Sequence, residues 1–226
     1  RDKLYSVIAH DLRSPMGSIK MVLNMLILNL PVEKIGTEMH ELLTMANRTT
    51  EDVFSLLDNL LKWTKSQIGN LNVVYQDIDA VEVMDSVIDV FNMIAGLKKI
   101  TIREEKPEKL PVCADIDMLK TVIRNLLSNA IKFSNENSEV LVKMEEQGDM
   151  VVVSVKDKGC GIDEEGQKKL LHTDTHFSTF GTNNEEGSGL GLLLCQDFVV
   201  KNGGKLWFTS KQGEGSTFYF SIPLKK

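Results

Sequence analysis

The sequence is poor in the residue types that build disulfide frameworks and metal clusters. It has three cysteines, at positions 113, 160 and 195, and four histidines among 226 residues. The cysteines form no CxxC pair and leave an odd thiol, so neither a disulfide framework nor a zinc site is expected. A reducing compartment suits this composition best, and we expect a cytoplasmic location.

Long apolar runs are also missing. No run approaches the roughly 18 residues that a membrane-spanning helix needs, and even the run Met25–Leu28 stops at Asn29. Because the chain begins at Arg1 rather than at Met, we expect it to be a piece of a longer protein. Any contact with a membrane is then expected through parts outside this piece.

Basic residues are outnumbered, since 26 Lys and Arg stand against 32 Asp and Glu for a formal net charge of −6. Residues 1–75 are neutral, and residues 76–226 carry the whole deficit. A nucleic-acid ligand is not expected, because binding to a phosphate backbone needs a basic face. The 42% of hydrophobic residues is close to average globular usage and excludes a wholly disordered chain.

Apolar residues recur at helical spacing in the first 69 residues. One stripe runs from Leu4 to Leu30 and stops at Pro31, and another runs from Met39 to Leu60. The pattern predicts an antiparallel hairpin of two helices, each about 30 residues long. The first helix carries a second apolar stripe beside the first one. Dimerisation into a four-helix bundle is the simplest way to cover both stripes.

From residue 73 onward the pattern is mixed, which sets a domain boundary between residues 1–72 and 73–226. Helices are predicted over 81–97, 115–133 and 187–200, and strands over 100–104, 140–144, 151–156, 206–210 and 217–223. Clustered elements with tight turns between strands favour an α+β sandwich over a doubly wound sheet. The polar segment 163–187 has weak periodicity, which is typical of a functional lid or a disordered segment.

His10 is the first candidate for chemistry. It lies two residues from both Ile8 and Leu12, so on a helix it points about 160° away from each and faces solvent. An ordinary surface histidine is the simpler interpretation, but Pro15 follows inside the helical pattern, where proline costs roughly 3 kcal/mol. Neutral imidazole is a nucleophile near pH 7, and the neighbouring Asp11 carboxylate can orient its proton.

Two glycine clusters are the second candidate. Gly159 and Gly161 follow a predicted strand and Asp157, and the run Gly187–Gly191 precedes a predicted helix. Glycines before a helix suit a phosphate, because bare N–H groups can approach it and the helix dipole favours an anion. Either cluster alone is more often a turn than a nucleotide site.

A pair of asparagines is the third candidate. Asn125 and Asn129 are four residues apart, so both amides project from one helix face with Lys132 adjacent. Asparagine is a poor residue for a helix interior, although a solvated polar face would explain it equally well. The functional interpretation is ligation of Mg²⁺ by the amide oxygens, with Lys132 on a phosphate.

Together these motifs resemble those of sensor histidine kinases, in order and spacing, over essentially the whole chain. Tyr5–Met16 resembles the phosphoacceptor box, Asn125–Ser134 the asparagine box, and Asp157–Ile162 the first glycine box. Phe177–Phe180 resembles the phenylalanine box, Gly187–Leu192 the second glycine box, and Gly213–Leu224 the final hairpin. The resemblance implies a dimerising, phosphate-accepting hairpin followed by an ATP-binding sandwich of the gyrase and heat-shock-protein type. It also implies ATP and Mg²⁺ as ligands, a homodimer, and the receiver domain of a response regulator as partner.

The resemblance assigns a role to each matching residue. His10 would accept the γ-phosphoryl group with help from Asp11, and Asp157 would accept a hydrogen bond from the adenine amino group. Asn125 and Asn129 would hold Mg²⁺ and phosphate.

The remaining positions of the boxes complete the implied nucleotide site. Lys132 would bind phosphate, Gly159 and Gly161 would let the backbone approach the base, and the glycines at 187, 189 and 191 would close a lid over the phosphates. The same boxes add flanking residues to this site: Phe133, Ile162, Gly187, Ser188, Gly189, Leu190, Gly191 and Thr217.

Two other functions compete with a kinase. The first is a conformational ATPase of the gyrase or chaperone type, in which the hairpin is only a dimer strut. Those relatives carry Glu where Asn125 stands, and Asn cannot take a proton from water, so the sequence favours transfer to His10. The second is a scaffold that binds no nucleotide, which the intact glycine boxes and Asn129 disfavour.

Overall fold

The computed structural model describes residues 2–67, 72–170 and 190–225, and the chain divides into two compact units, residues 1–72 and 73–226. Within these described ranges, no helix combines the length and apolar character that crossing a membrane requires.

The first unit is entirely helical. Its elements are α1 (Asp2–Asn29), α2 (Val32–Ile35) and α3 (Thr37–Gln67). Pro15 lies inside α1, which continues through it. Gly36 ends α2 with φ +79°, a value that favours glycine, and so turns the chain into α3.

Helices α1 and α3 pack side by side in opposite directions. Lys20 forms an ion pair with Glu51 at 3.3 Å, and Asn47 Nδ2 donates to Asn24 Oδ1 at 3.0 Å. Residue numbers thus increase along α1 where they decrease along α3, so the two helices are antiparallel. Near the far end of the seam, Leu57 and Leu61 are buried, with Met16, Val53 and Leu60 packed against them.

Outside this seam, apolar side chains of the first unit remain exposed. Met25 is 57% exposed and Leu28 is 82% exposed. Further large apolar side chains in the same state are Leu12, Ile19, Met21, Val22, Leu26, Val32, Met39, Leu42 and Met45. Two helices cannot cover such surface between them.

The second unit mixes helices and strands. Its elements in chain order are β1 (Gln76–Asp79), α4 (Ala80–Leu97), β2 (Thr101–Glu105), β3 (Pro111–Ala114), α5 (Ile116–Phe133), β4 (Glu139–Gln147), β5 (Met150–Lys156), α6 (Glu164–Lys169), α7 (Leu190–Lys201), β6 (Leu206–Lys211) and β7 (Gly215–Pro223). The main sheet has the order β2-β4-β5-β7-β6. Strands β2 and β4 are parallel, and the other pairs are antiparallel.

One face of the main sheet carries the helices. Side chains alternate along β5, so that Val151, Val153 and Val155 are all buried. Helix α5 contacts β5, α7 contacts β6 and β7, and α4 contacts α5 and β2. The apolar faces of α4, α5 and α7 therefore share one core with this side of the sheet, and the predicted mixed α+β fold is confirmed.

The sequence patterns missed three elements of this unit. Strands β1 and β3 form a separate antiparallel pair, and no alternation in their sequences indicates it. The Asp79 carboxylate accepts from the amides of Val81 and Leu110, which joins the start of α4 to the segment before β3. The segment 163–187, expected to lack structure, instead begins with α6, which Asp163 caps through the Gly166 amide.

Candidate functional site

The site begins at the end of β5, where Asp157 follows the last strand residue on the helix side of the sheet. Its side chain is only 4% exposed. Oδ1 accepts from the amides of Gly159 at 2.9 Å and Ser216 at 3.2 Å, and the Asp157 amide donates to the Ser216 carbonyl at 2.9 Å. No described residue donates to Oδ2, so this oxygen can accept a hydrogen bond from a ligand.

Burial dominates the electrostatics of this carboxylate. Removal from water raises the pKa of Asp157 above its ordinary value, while the amides of Gly159 and Ser216 oppose that rise. A buried acceptor with one oxygen fixed by two amides is suited to recognising a single donor group.

The glycines of the first cluster are required by close backbone packing. A Cβ at Gly159 would overlap the carbonyl oxygen of Phe133, and a Cβ at Gly161 would overlap that of Lys211. Gly161 also has φ +63°, which favours glycine. These glycines bring the loop against the end of α5 and against β6, a structural reason that the sequence alone did not supply.

The asparagines lie on α5 as predicted, but their environments differ. Asn125 Nδ2 donates to the Thr121 carbonyl at 3.0 Å. Burial raises the pKa of the nearby Cys195 thiol, and the Asn125 amide opposes that rise. A Cβ at Gly191 would approach Asn125 Oδ1 to 2.8 Å. Asn125 is thus fixed against the first turn of α7.

Asn129 is half-buried, and its side chain makes no hydrogen bond with any residue in the described ranges. Its amide oxygen, a hard neutral ligand of the type that Mg²⁺ accepts, is therefore available. The described residues contain no group of three or more His, Cys, Asp and Glu that could hold a metal by themselves. A magnesium ion held beside Asn129 would take most of its ligands from phosphate and water rather than from the protein.

The end of α5 joins these residues to the glycine loop. Lys132 Nζ lies 5.2 Å from the centre of the Phe133 ring, and the Phe133 carbonyl accepts from the Cys160 amide at 3.4 Å. The asparagine face and Asp157 are consequently held in one framework, which consists of α5, β5 and the glycine loop that packs against α5 and β6.

Other predicted site residues are only partly described. Leu190 begins α7 and is buried. The remaining positions of the second glycine cluster, Gly187, Ser188 and Gly189, lie outside the described residues, as does the phenylalanine box. His10 and Asp11 lie within α1, and their side chains lie outside what the structure describes.

Sequence reasoning selected Thr217 in the last strand and missed its neighbour Ser216. Thr217 pairs with Lys156 in the β5–β7 register, so Ser216 comes opposite Asp157 and bonds to it. Strand alternation places Thr217 on the other face of the sheet. The signal for Ser216 is the register between β5 and β7, which becomes visible only once the strands are paired.

Residues 114–226 match the family model described as histidine kinase-, DNA gyrase B-, and HSP90-like ATPase. Over 99% of its length the chain is 30% identical to the adaptive-response sensory kinase SasA of Crocosphaera subtropica, and over 100% it is 28% identical to the sensor histidine kinase WalK of Bacillus subtilis. The chain spans 59% of the first relative and 37% of the second.

Solved structures agree with this fold. The full-length structure of ShkA in complex with AMPPNP matches all of this chain and 46% of that chain with a TM-score of 0.74 at 20% identity. The catalytic domain of the histidine kinase ThkA, in a nucleotide-free form, matches 66% of this chain and 95% of that chain at 31% identity, with a TM-score of 0.58.

Proposed function

Since this chain belongs to the histidine kinase-, DNA gyrase B- and HSP90-like ATPase family, we propose that it transfers the γ-phosphoryl group of ATP to its own His10. From there the group passes to an aspartate on the receiver domain of a response regulator. Residues 73–226 bind the nucleotide, and residues 1–72 dimerise and present the phosphoacceptor. The observation that carries the proposal is the buried Asp157 carboxylate, with one oxygen fixed by two amides and the other open to a ligand.

Asp157 reads the base. Its Oδ2 accepts a hydrogen bond from the adenine amino group, which GTP lacks at that position, so the site selects ATP. The glycine loop from Gly159 to Ile162 supports the carboxylate and forms the wall beside the base.

The phosphates lie towards α5 and the start of α7. Asn129 offers a free amide oxygen to Mg²⁺, Asn125 lines the approach to Gly191, and Lys132 provides a positive charge for a phosphate. When bound, Mg²⁺ supplies neutralisation of the charge that develops on the transferred group. Asn125, Asn129 and Lys132 orient the triphosphate so that its γ-phosphoryl group can be attacked.

Phosphoryl transfer is favoured over hydrolysis by the residue at position 125. An amide cannot take a proton from water, whereas the His10 imidazole is itself a nucleophile near neutral pH. Asp11 orients the imidazole proton, so that the reactive nitrogen carries a lone pair. The ATPase alternative would need a general base at position 125, where this chain has Asn.

The exposed apolar surface of the first unit supports a homodimer. Met25 and Leu28 belong to a face that α3 does not cover, and a second copy of the hairpin would bury it in a four-helix bundle. We place the protein's kinase part in the cytoplasm, where ATP and response regulators are present.

Incubation with γ-labelled ATP tests the proposal. The wild-type chain should incorporate label that is lost in acid and kept in base, as expected for phosphohistidine, while phosphoserine resists acid. His10→Gln keeps size and polarity but removes the nucleophile, so it should incorporate no label and bind ATP normally. Acid-stable label, or label on His10→Gln, would contradict the assignment of His10.

A further inference from the structure

A row of three polar side chains crosses the ends of three neighbouring strands on the helix side of the sheet. Ser210 of β6 pairs with Ser216 of β7, and Ser216 in turn bonds to Asp157 beyond the end of β5. The Ser210 and Ser216 hydroxyl oxygens are 2.8 Å apart. Ser210 is not among the residues assigned to the nucleotide, yet it bonds to the glycine loop at Ile162 and is linked to Asp157 through Ser216.

The hydroxyl of Ser210 is fully used. Its Oγ accepts from the Ile162 amide at 2.8 Å and lies 3.2 Å from the Gly215 carbonyl. A hydroxyl has one proton and two acceptor positions. All three contacts form together when Ser216 donates to Ser210 and Ser210 donates to the Gly215 carbonyl.

These bonds join the two backbone segments that hold Asp157. One is the glycine loop, whose Gly159 amide donates to Asp157 Oδ1, and the other is the start of β7, whose Ser216 amide donates to the same oxygen. Gln167 of α6 strengthens the junction, because its Nε2 donates to the carbonyls of Ile162 at 2.7 Å and Ser210 at 3.1 Å. The spacing between the two amides therefore depends on Ser210.

We propose that Ser210 is a positioning residue for base recognition: it sets the distance between the glycine loop and β7, and so aims the free oxygen of Asp157 at the adenine amino group. The inference rests on the proposed binding of ATP by this unit. It assigns to Ser210 an effect on the choice of base rather than on binding of the triphosphate.

The test compares ATP with inosine triphosphate, which lacks the 6-amino group. We expect Ser210→Ala to weaken ATP binding by about 10-fold, the scale of one lost hydrogen bond to a charged group. Inosine triphosphate should bind as it does to the wild type. Thr209→Ala is the matched control and should bind ATP as the wild type does, since Thr209 is the exposed neighbour on the same strand. Ser210→Thr keeps the hydroxyl and should therefore keep the preference for ATP.

A double-mutant cycle separates positioning from general destabilisation. In an Asp157→Asn background, Ser210→Ala should cause no further loss of ATP affinity, because the group that it aims is already gone. Equal losses for both nucleotides, or additive losses in the cycle, would overturn the inference. If Ser210→Ala does not fold, Ser216→Ala removes the same 2.8 Å bond from its other end and must give the same selectivity.

The wild-type chain distinguishes this inference from the proposed function. Wild-type protein that binds neither nucleotide, or both equally, would refute ATP recognition by Asp157. A wild type that prefers ATP, together with a Ser210→Ala variant of unchanged preference, would refute only the role of Ser210.

Discussion

The two units handle their apolar residues in opposite ways. In the second, Val153 and Leu127 are fully buried within a core shared by three helices and a sheet. In the first, Leu28, in the last turn of α1, is 82% exposed. The second unit can therefore be stable by itself, whereas the first needs another surface. A nucleotide site demands a fixed framework, which the core of the second unit provides.

The largest expected effect on activity concerns the fixed framework. Asn129→Ala removes the free amide oxygen from α5 and should reduce Mg²⁺-dependent label incorporation by roughly 100-fold or more. Ser128→Ala is the matched control, because Ser128 is the exposed neighbour on the same helix. Both variants should unfold at the wild-type temperature. Wild-type labelling by Asn129→Ala would make the asparagine face purely structural.

Close packing in the second unit gives the next effect. Gly161→Ala forces a Cβ against the Lys211 carbonyl at φ +63°, and we expect a loss of about 3–5 kcal/mol from positive φ and overpacking together. Gly148 has almost the same φ, +62°, with nothing within 4 Å of its Cβ position. Gly148→Ala should thus lose only about 1 kcal/mol. Denaturant unfolding of both variants measures the difference, and equal losses would show that backbone approach is not what requires Gly161.

The first unit is tested by charge on its exposed surface. Met25→Asp places a carboxylate on the face assigned to the second copy and should weaken the dimer by roughly 2 kcal/mol per subunit. Met93 of α4 is 75% exposed on the second unit, so Met93→Asp should leave the dimer intact. Sedimentation equilibrium measures both. A dimer that tolerates Met25→Asp would place the interface on another surface.

Much of this architecture could be predicted from the sequence because its signals are local. Long amphipathic stripes predicted α1 and α3, and the ordered boxes correctly indicated the histidine kinase family. The sequence selected Asp157 and Asn129 as candidates because each stands in a motif with its own chemical signature. The sequence also located α5 almost to the residue, since Asp115 provides a capping side chain at its start.

What could not be predicted depends on pairing between distant segments. Strands β1 and β3 have only four residues each, too few for a sequence pattern to predict them, so only their contact with each other defines them. Ser216 and Ser210 acquire roles from the registers of β5, β7 and β6. Helix α6 is too short for a period of 3.6 to appear.

The smallest expected effect separates binding from stability at one residue of the fixed framework. Asp157→Asn should weaken ATP by on the order of 1–3 kcal/mol, because an amide nitrogen replaces the acceptor that faces the adenine amino group. The stability of the folded protein should increase in the same variant. Burial raises the pKa of Asp157 in the folded protein, so the unfolded chain loses this proton at lower pH, and stability falls as pH rises through the folded-state pKa.

Asn has no proton to lose, and its amide oxygen can still accept from the Gly159 and Ser216 amides. The variant should therefore be more stable than the wild type at pH 7 and unfold at a higher Tm. The gain should vanish below about pH 4, where the carboxyl is protonated in both the folded and the unfolded chain. Thermal unfolding of both proteins across this pH range measures it. A variant that is less stable than the wild type at pH 7 would show that the two amide bonds to the carboxylate outweigh its burial.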